Sequence, residues 1–176
     1  AAGRYRDALA PLYEARARWI AQLGQNNPAV GDSERLIAEA RAALGEPRQA
    51  DALLAQALRR TESGYGPVHP RTRAVRVAWA RNLGRLGRDA QALRELEAQA
   101  RLGGDGIENR KLRWRARAYA AELRCRRHGA AGDGRGELQA LQRELAQAQP
   151  QGGTLVNEVS ALRAACGAAR TLASAR

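Results

Sequence analysis

The sequence predicts an all-α chain built from repeated helical units, on three observations. Gly3, Gly45 and Gly87 stand 42 residues apart, with Ala8, Ala50 and Ala92 following each by five positions, Leu9 and Leu93 by six, and Leu12, Leu54 and Leu96 by nine. A fixed period of this length is the signature of a repeat architecture. Apolar residues recur at three- and four-residue intervals, as in Leu36, Ile37, Ala40 and Leu44 and again in Leu53, Leu54, Ala57 and Leu58, and no window of alternating β-branched residues competes. Clusters of glycine and proline then divide the chain into helix-sized pieces.

Taken in order, the first helix spans 4–23, between Gly3 and Gly24. The second, 29–44, follows Pro28, whose missing N–H costs nothing in a first turn, and stops at Gly45. The third, 47–63, opens on Pro47 and runs to the breaker stretch from Ser63 to Pro70. The fourth, 70–86, opens on Pro70 and stops at Gly87; the segment Leu23-Gly24-Gln25-Asn26-Asn27-Pro28 before the second helix aligns with Tyr65-Gly66-Pro67-Val68-His69-Pro70 before the fourth. The fifth, 88–102, ends at the glycines from Gly103 to Gly106, the sixth, 108–128, at those from Gly129 to Gly136, the seventh, 136–149, at Pro150 to Gly153, and the eighth covers 154–174.

The apolar content is carried by alanine and leucine, with no phenylalanine or methionine, which favours thin helix-on-helix packing through small residues over a thick core. The formal charge is +12, and all but one of the basic residues are arginine, Lys111 being the exception. Such an excess attracts acidic proteins, nucleic acid or an anionic membrane surface. No run of about 18 apolar residues exists, so no membrane insertion is expected, and no segment has the layout of a signal peptide. The chain starts at Ala1 directly in repeat sequence, which leads us to expect a single repeat domain, 1–176, excised from a longer protein.

At Gly3-Arg4-Tyr5, Ala8, Pro11-Leu12-Tyr13 and Ala15 the chain resembles tetratricopeptide repeats of the kinesin-light-chain type. In that family a glycine, an aromatic two residues on and an alanine five residues on mark the turn into the second helix of a repeat. A Leu-Gly-x-x-His-Pro connector then leads to the next repeat. Tyr65 to Pro70 looks like that connector, with Tyr65 for leucine, while Asn27 replaces its histidine in the earlier copy. The resemblance runs from Gly3 to about Ala100 and fades beyond, where Glu137 and Glu144 occupy positions reserved for alanine. It implies a right-handed superhelical solenoid of about eight antiparallel helices with a concave binding surface, 154–174 serving as a terminal capping helix. It also implies a non-catalytic protein-, peptide- or ligand-sensing module of a larger bacterial signalling protein, since such repeats are frequently appended to serine/threonine kinases or transcription regulators.

In that register the first helix of each repeat lines the groove, and two of these helices are strongly basic. The stretch from Arg71 to Leu86 holds Arg71, Arg73, Arg76, Arg81 and Arg85 without an acidic residue; that from Asn109 to His128 holds seven arginines and Lys111 against Glu122 alone. The register places Arg35, Val77, Arg81, Arg85, Tyr119 and Arg126 on or near the concave face. Arginine forks grip carboxylate or phosphate with paired hydrogen bonds, so the groove suits an acidic protein or peptide. The family's lysine and asparagine clamp for a terminal carboxylate is absent, Arg81 standing where the asparagine would be. The alternative is a nucleic-acid-binding helical repeat, against which stand few aromatics and no base-reading motif.

Cys125 and Cys166 fall near equivalent points of two groove-type helices, as small buried residues at a helix crossing or as a disulfide that would place the chain in an oxidising periplasm instead of the bacterial cytoplasm. Cys125 with His128 sets a thiol and an imidazole one turn apart, too few ligands for zinc. Trp19, Trp79 and Trp114 lie on helical stripes and are expected in the core. The glycine-rich stretch from Gly132 to Gly136 follows a helix, with no strand before it, and reads as a connector. With no paired carboxylates, Ser/His/Asp set or metal-ligand spacing, no catalytic residue, metal or cofactor is expected.

Overall fold

A computed structural model describes residues 2–128, 133–149 and 151–173. Among them are eight α-helices: α1 (Ala2–Leu23), α2 (Pro28–Ala43), α3 (Pro47–Tyr65), α4 (Pro70–Arg85), α5 (Asp89–Arg101), α6 (Ile107–His128), α7 (Gly134–Ala148) and α8 (Thr154–Ala173). The chain is all-helical across these residues. Helix α3 runs two residues past the expected end because its stop is Gly66, at φ 86°, and not Ser63. Helix α7 begins at Gly134, two residues early; there a Cβ would stand 2.3 Å from the Ala121 carbonyl oxygen, so only glycine lets the two helices approach this closely. Much of the glycine-rich connector before it, 129–132, lies outside the described residues.

The 42-residue period reappears atom by atom in the connectors. Asn27 Oδ1 accepts from the Ala29 amide at 2.9 Å, and His69 Nδ1, 42 positions on, accepts from the Arg71 amide at 3.2 Å; each caps a helix that opens on proline. At the far ends, Gly45 and Gly87 take φ of 87° and 76°, where a side chain would be strained. The Glu46 amide then reaches the Arg41 carbonyl at 3.0 Å and the Arg88 amide reaches that of Leu83 at 2.9 Å, the 6→1 bond of a Schellman stop. Identical caps and stops force identical turns. Helices α1 to α4 therefore fold back one on the next.

Two compact units result, 1–95 and 96–176. In the first, the side-chain bonds show each of α1, α2 and α3 antiparallel to the helix that follows it. Late α1 meets early α2 through Arg16 and Glu34, early α2 meets late α3 through Glu34 and Arg60, and late α3 meets early α4 through the Thr72 hydroxyl, which donates to the Thr61 carbonyl at 3.0 Å. Helices α2 and α4 lie side by side with their starts together, linked by Arg71 and Asp32. In the second unit α6 and α7 are antiparallel, as are α7 and α8, while α8 runs along α6 in the same direction.

Small residues set the spacing. Ala38, Ala42, Ala50, Leu54, Ala57, Val75 and Ala78 form the centre of the first unit. At Gly31 a Cβ would come within 2.8 Å of the Thr61 methyl and 3.0 Å of the Ala57 carbonyl, so α2 and α3 touch nearly backbone to backbone. Trp79 leans on this cluster and donates its indole N–H to Asp51 at 3.1 Å, and Trp114 is buried in the second unit. Trp19 differs from the expectation of a core residue: it is 42 % exposed on α1, because no described helix covers that face.

Inside the first unit lies an ion cluster. The Glu34 carboxylate is fully buried; one oxygen accepts from Arg16 of α1 at 2.9 Å and the other from Arg60 of α3 at 2.9 Å. One acidic side chain thus joins three helices. Removing one member of a buried pair strands the others at a cost of about 3 to 5 kcal/mol, less where solvent reaches them as it reaches Arg16. Replacing Glu34 by alanine is therefore expected to lower unfolding free energy by about 2 to 4 kcal/mol, read from urea denaturation, while Glu39→Ala, whose pair with Arg35 is half exposed, changes it by less than about 0.5 kcal/mol.

Candidate functional site

The arginines singled out in the sequence are held largely by carboxylates from neighbouring helices. Arg71 pairs with Asp32 at 2.7 Å and stacks over the Tyr65 ring at 5.6 Å; the nearby Asp32 charge, against some burial, raises its pKa. Arg76 bonds Glu62 and faces Glu95 at 3.6 Å. Arg115 reaches Glu158 at 3.2 Å, and Arg113 caps the carbonyls of Leu102 and Gly104. Much of the positive field read from α4 and α6 is thus neutralised within the fold.

The six groove candidates fall in different places. Arg35, Val77, Arg81 and Arg85 belong to the first unit, Tyr119 and Arg126 to the second. Val77 is only 1 % exposed, so it packs in the interior and offers no surface to a ligand, a correction to its assignment on the groove. Tyr119 is likewise buried, at 7 % exposure, and its hydroxyl is spent on Glu158, which corrects its role as a flat anchor for a ligand. Both errors share one cause: the side chains face the neighbouring helix and not the open side of their own. Arg35 bonds Glu39 at 2.8 Å, and Arg81 and Arg85 are half-buried on α4, each engaged by other groups. Arg126 is exposed on α6.

A different concavity lies in the second unit. A cavity of about 370 Å³ opens over α5, α6 and α7, with Ala100, Ala120, Ala140 and Leu141 among its apolar lining and Arg101, Arg117 and Arg124 among its polar lining. Arg124 spans it, donating to Glu137 of α7 at 2.7 Å and to Glu97 of α5 at 2.5 Å. Arg117 donates to Glu144 at 2.7 Å, and the Trp114 indole donates to the other oxygen of that carboxylate at 2.7 Å. Arg101 meets Glu97 at 3.4 Å and stays 78 % exposed, and Arg117 is 44 % exposed, so both remain within reach of a ligand.

Sequence reading marked Glu137 and Glu144 only as departures from an alanine pattern. Their signal was nevertheless present. Arg117 and Arg124 stand seven apart on α6, Glu137 and Glu144 seven apart on α7, and antiparallel packing of two such stripes pairs 117 with 144 and 124 with 137. Burial would push the Glu144 pKa up, but the bonds from Trp114 and Arg117 outweigh it and hold the carboxyl below its usual range.

Cys125 and Cys166 form a disulfide joining α6 to α8, with Cα atoms 5.9 Å apart. Cys125 therefore presents no thiol to a ligand, and the His128 side chain considered beside it lies outside the described residues. Among the described residues no group of three or more His, Cys, Asp or Glu side chains is placed to hold a metal ion, and no helix is long and apolar enough to cross a membrane.

Two outcomes follow from this geometry. A carboxyl whose pKa is lowered by folding contributes stability that is complete above the unfolded value, about 4.3 for glutamate, and is lost as pH falls through the folded value. Denaturation of the protein at pH 6 and pH 3 should therefore show a smaller acid-induced loss in Glu144→Gln than in the parent chain. Replacing Cys166 by serine should lower stability by about 2 to 4 kcal/mol and abolish any further effect of a thiol reductant on the melting curve.

Comparison with known proteins found no matching family model and no matching curated protein, so the functional reading rests on the residues themselves.

Proposed function

We propose that this chain is a non-catalytic docking module of tetratricopeptide-like helical hairpins that binds acidic protein or peptide segments. The observation that carries the reading is the arginine-rimmed, alanine-lined groove over α5, α6 and α7. Alanines let a partner backbone approach closely, and guanidinium forks bind carboxylates with direction as well as charge. A volume of about 370 Å³ suits one or two side chains of a short segment. The overall charge of +12 adds long-range attraction, raising encounter rates with acidic partners more than final affinity.

Carboxylates in the groove and beside it act as place-holders. Glu97, Glu137 and Glu144 keep the three arginine forks oriented when no ligand is present, and an incoming carboxylate competes for the exposed edges of Arg101 and Arg117. The resemblance to repeats appended to bacterial signalling proteins agrees with a binding role. The disulfide between α6 and α8 supports an oxidising compartment, in bacteria the periplasm.

A fluorescein-labelled hexaglutamate peptide, titrated into the chain at 50 mM and 300 mM salt, tests the reading. Saturable binding that weakens with salt is expected, and Arg101→Ala combined with Arg117→Ala should weaken it at least tenfold with helicity unchanged. A triple Arg81→Ala, Arg85→Ala, Arg126→Ala chain should retain most of the affinity. Absence of saturable binding would overturn the proposal; loss confined to the triple variant would move the site to the faces read from sequence. Tighter binding of duplex DNA than of the peptide at 150 mM salt would favour a nucleic-acid module.

A further inference from the structure

A second cavity, in the first unit, is built from groups that the acidic-peptide groove does not use. It holds about 430 Å³ between the α1–α2 connector and the late part of α3. Gln25 and Asn26 line it from the connector and Gln56, Arg59, Arg60 and Ser63 from the helix, and none of these is acidic. Positions 56, 59, 60 and 63 share one face of a helix, so their polar ends gather on one side of α3, turned away from the buried stripe of Leu54, Ala57 and Thr61.

Most of the donors here are unspent. Among the described residues, no partner within the fold engages the side chains of Gln25, Asn26, Gln56, Arg59 or Ser63. Arg60 is held instead: its Nε donates to the Gln25 carbonyl at 2.8 Å and its Nη1 to Glu34 at 2.9 Å, with 13 % of the side chain exposed. A guanidinium carries five N–H groups, so these two bonds fix its plane and leave donors over. A ligand meeting such a group does not have to order it first.

Charge selects the ligand. Glu34 is shared by Arg16 and Arg60, and with Arg59 added, three arginines stand against one carboxylate. The surplus of two positive charges matches a phosphate monoester, which carries about −1.5 to −2 at pH 7 and offers three strong acceptor oxygens. A carboxylate, with one charge and two oxygens, uses less of it. The cavity is also roomier than a phosphate group alone needs, and side-chain amides both donate and accept, as the hydroxyls of a polyol require. None of the lining side chains is aromatic, so a planar base would find no stacking partner among them.

We propose that this cavity binds a phosphate monoester of a small polyhydroxylated molecule. Arg59, Arg60 and Ser63 hold the phosphate from α3, and the amides of Gln25, Asn26 and Gln56 take the hydroxyls. The site belongs to the first unit and stands independently of the acidic-peptide groove in the second.

Isothermal titration calorimetry of the whole chain with glucose 6-phosphate as probe tests this, with glucose and inorganic phosphate titrated separately. One saturable site is expected for glucose 6-phosphate, at least tenfold weaker for inorganic phosphate and absent for glucose. Arg59 is exposed and joins no pair in the fold, so Arg59→Glu should abolish binding with helicity unchanged. Gln56→Glu should weaken it at least tenfold by setting a carboxylate beside the ligand. The Arg101→Ala, Arg117→Ala chain should bind glucose 6-phosphate like the parent, so failure here and failure of the acidic groove are separate results. No saturable binding, or binding unchanged by Arg59→Glu, would overturn the proposal. Equal affinity for inorganic phosphate would overturn the polyol part of the ligand, and equal affinity for glucose the phosphate part.

Discussion

Close helix approach through glycine and alanine is the constraint on which the remaining features depend. With no phenylalanine or methionine to fill space, the helices meet at distances set by Gly31 against Thr61 and Gly134 against Ala121. Such interfaces bury little apolar surface per residue, so apolar transfer alone stabilises them modestly. The arginine stems and their carboxylate partners supply much of the remaining contact. Glu34, buried and gripped by Arg16 and Arg60, is the clearest case, because a single carboxylate closes three helices over a core made largely of alanine.

This arrangement changes the meaning of the net charge. Eighteen acidic residues against thirty basic ones suggest a surface crowded with unpaired arginine, yet carboxylates are spent where helices meet. Arg71, Arg76, Arg115, Arg117 and Arg124 each reach an acidic partner on another helix. Guanidinium suits the task because its planar fork bonds two partners at once, as Arg124 does across α5 and α7. Arginine therefore serves here as interhelical cement first and as a ligand-binding group only where its outer edge stays in solvent.

The groove of the second unit owes its chemistry to the same pairing. Over α5, α6 and α7 the charges are matched within the fold, and the surface left over is a ring of guanidinium edges around small apolar side chains. Along α1, Ala8, Leu12, Ala15 and Trp19 stand at the positions that Ala50, Leu54, Ala57 and Thr61 occupy in α3. A repeat architecture makes such a correspondence legible, since a second copy of each position is available in the same chain for comparison.

Local features were readable from the sequence alone. Helix existence, the 42-residue period, the proline starts and the glycine stops each depend on backbone conformation within a few residues, so Asn27, His69, Gly45 and Gly87 announce themselves without tertiary knowledge. What only the tertiary structure decided is which side of each helix meets a neighbour. That choice buried Val77 and Tyr119, left Trp19 in solvent, turned Glu137 and Glu144 from anomalies into the partners of Arg124 and Arg117, and brought Cys125 to Cys166. Periodicity identifies a helix face, but an arginine-rich and alanine-rich helix has several faces of similar polarity, and only the approach of a second helix distinguishes among them.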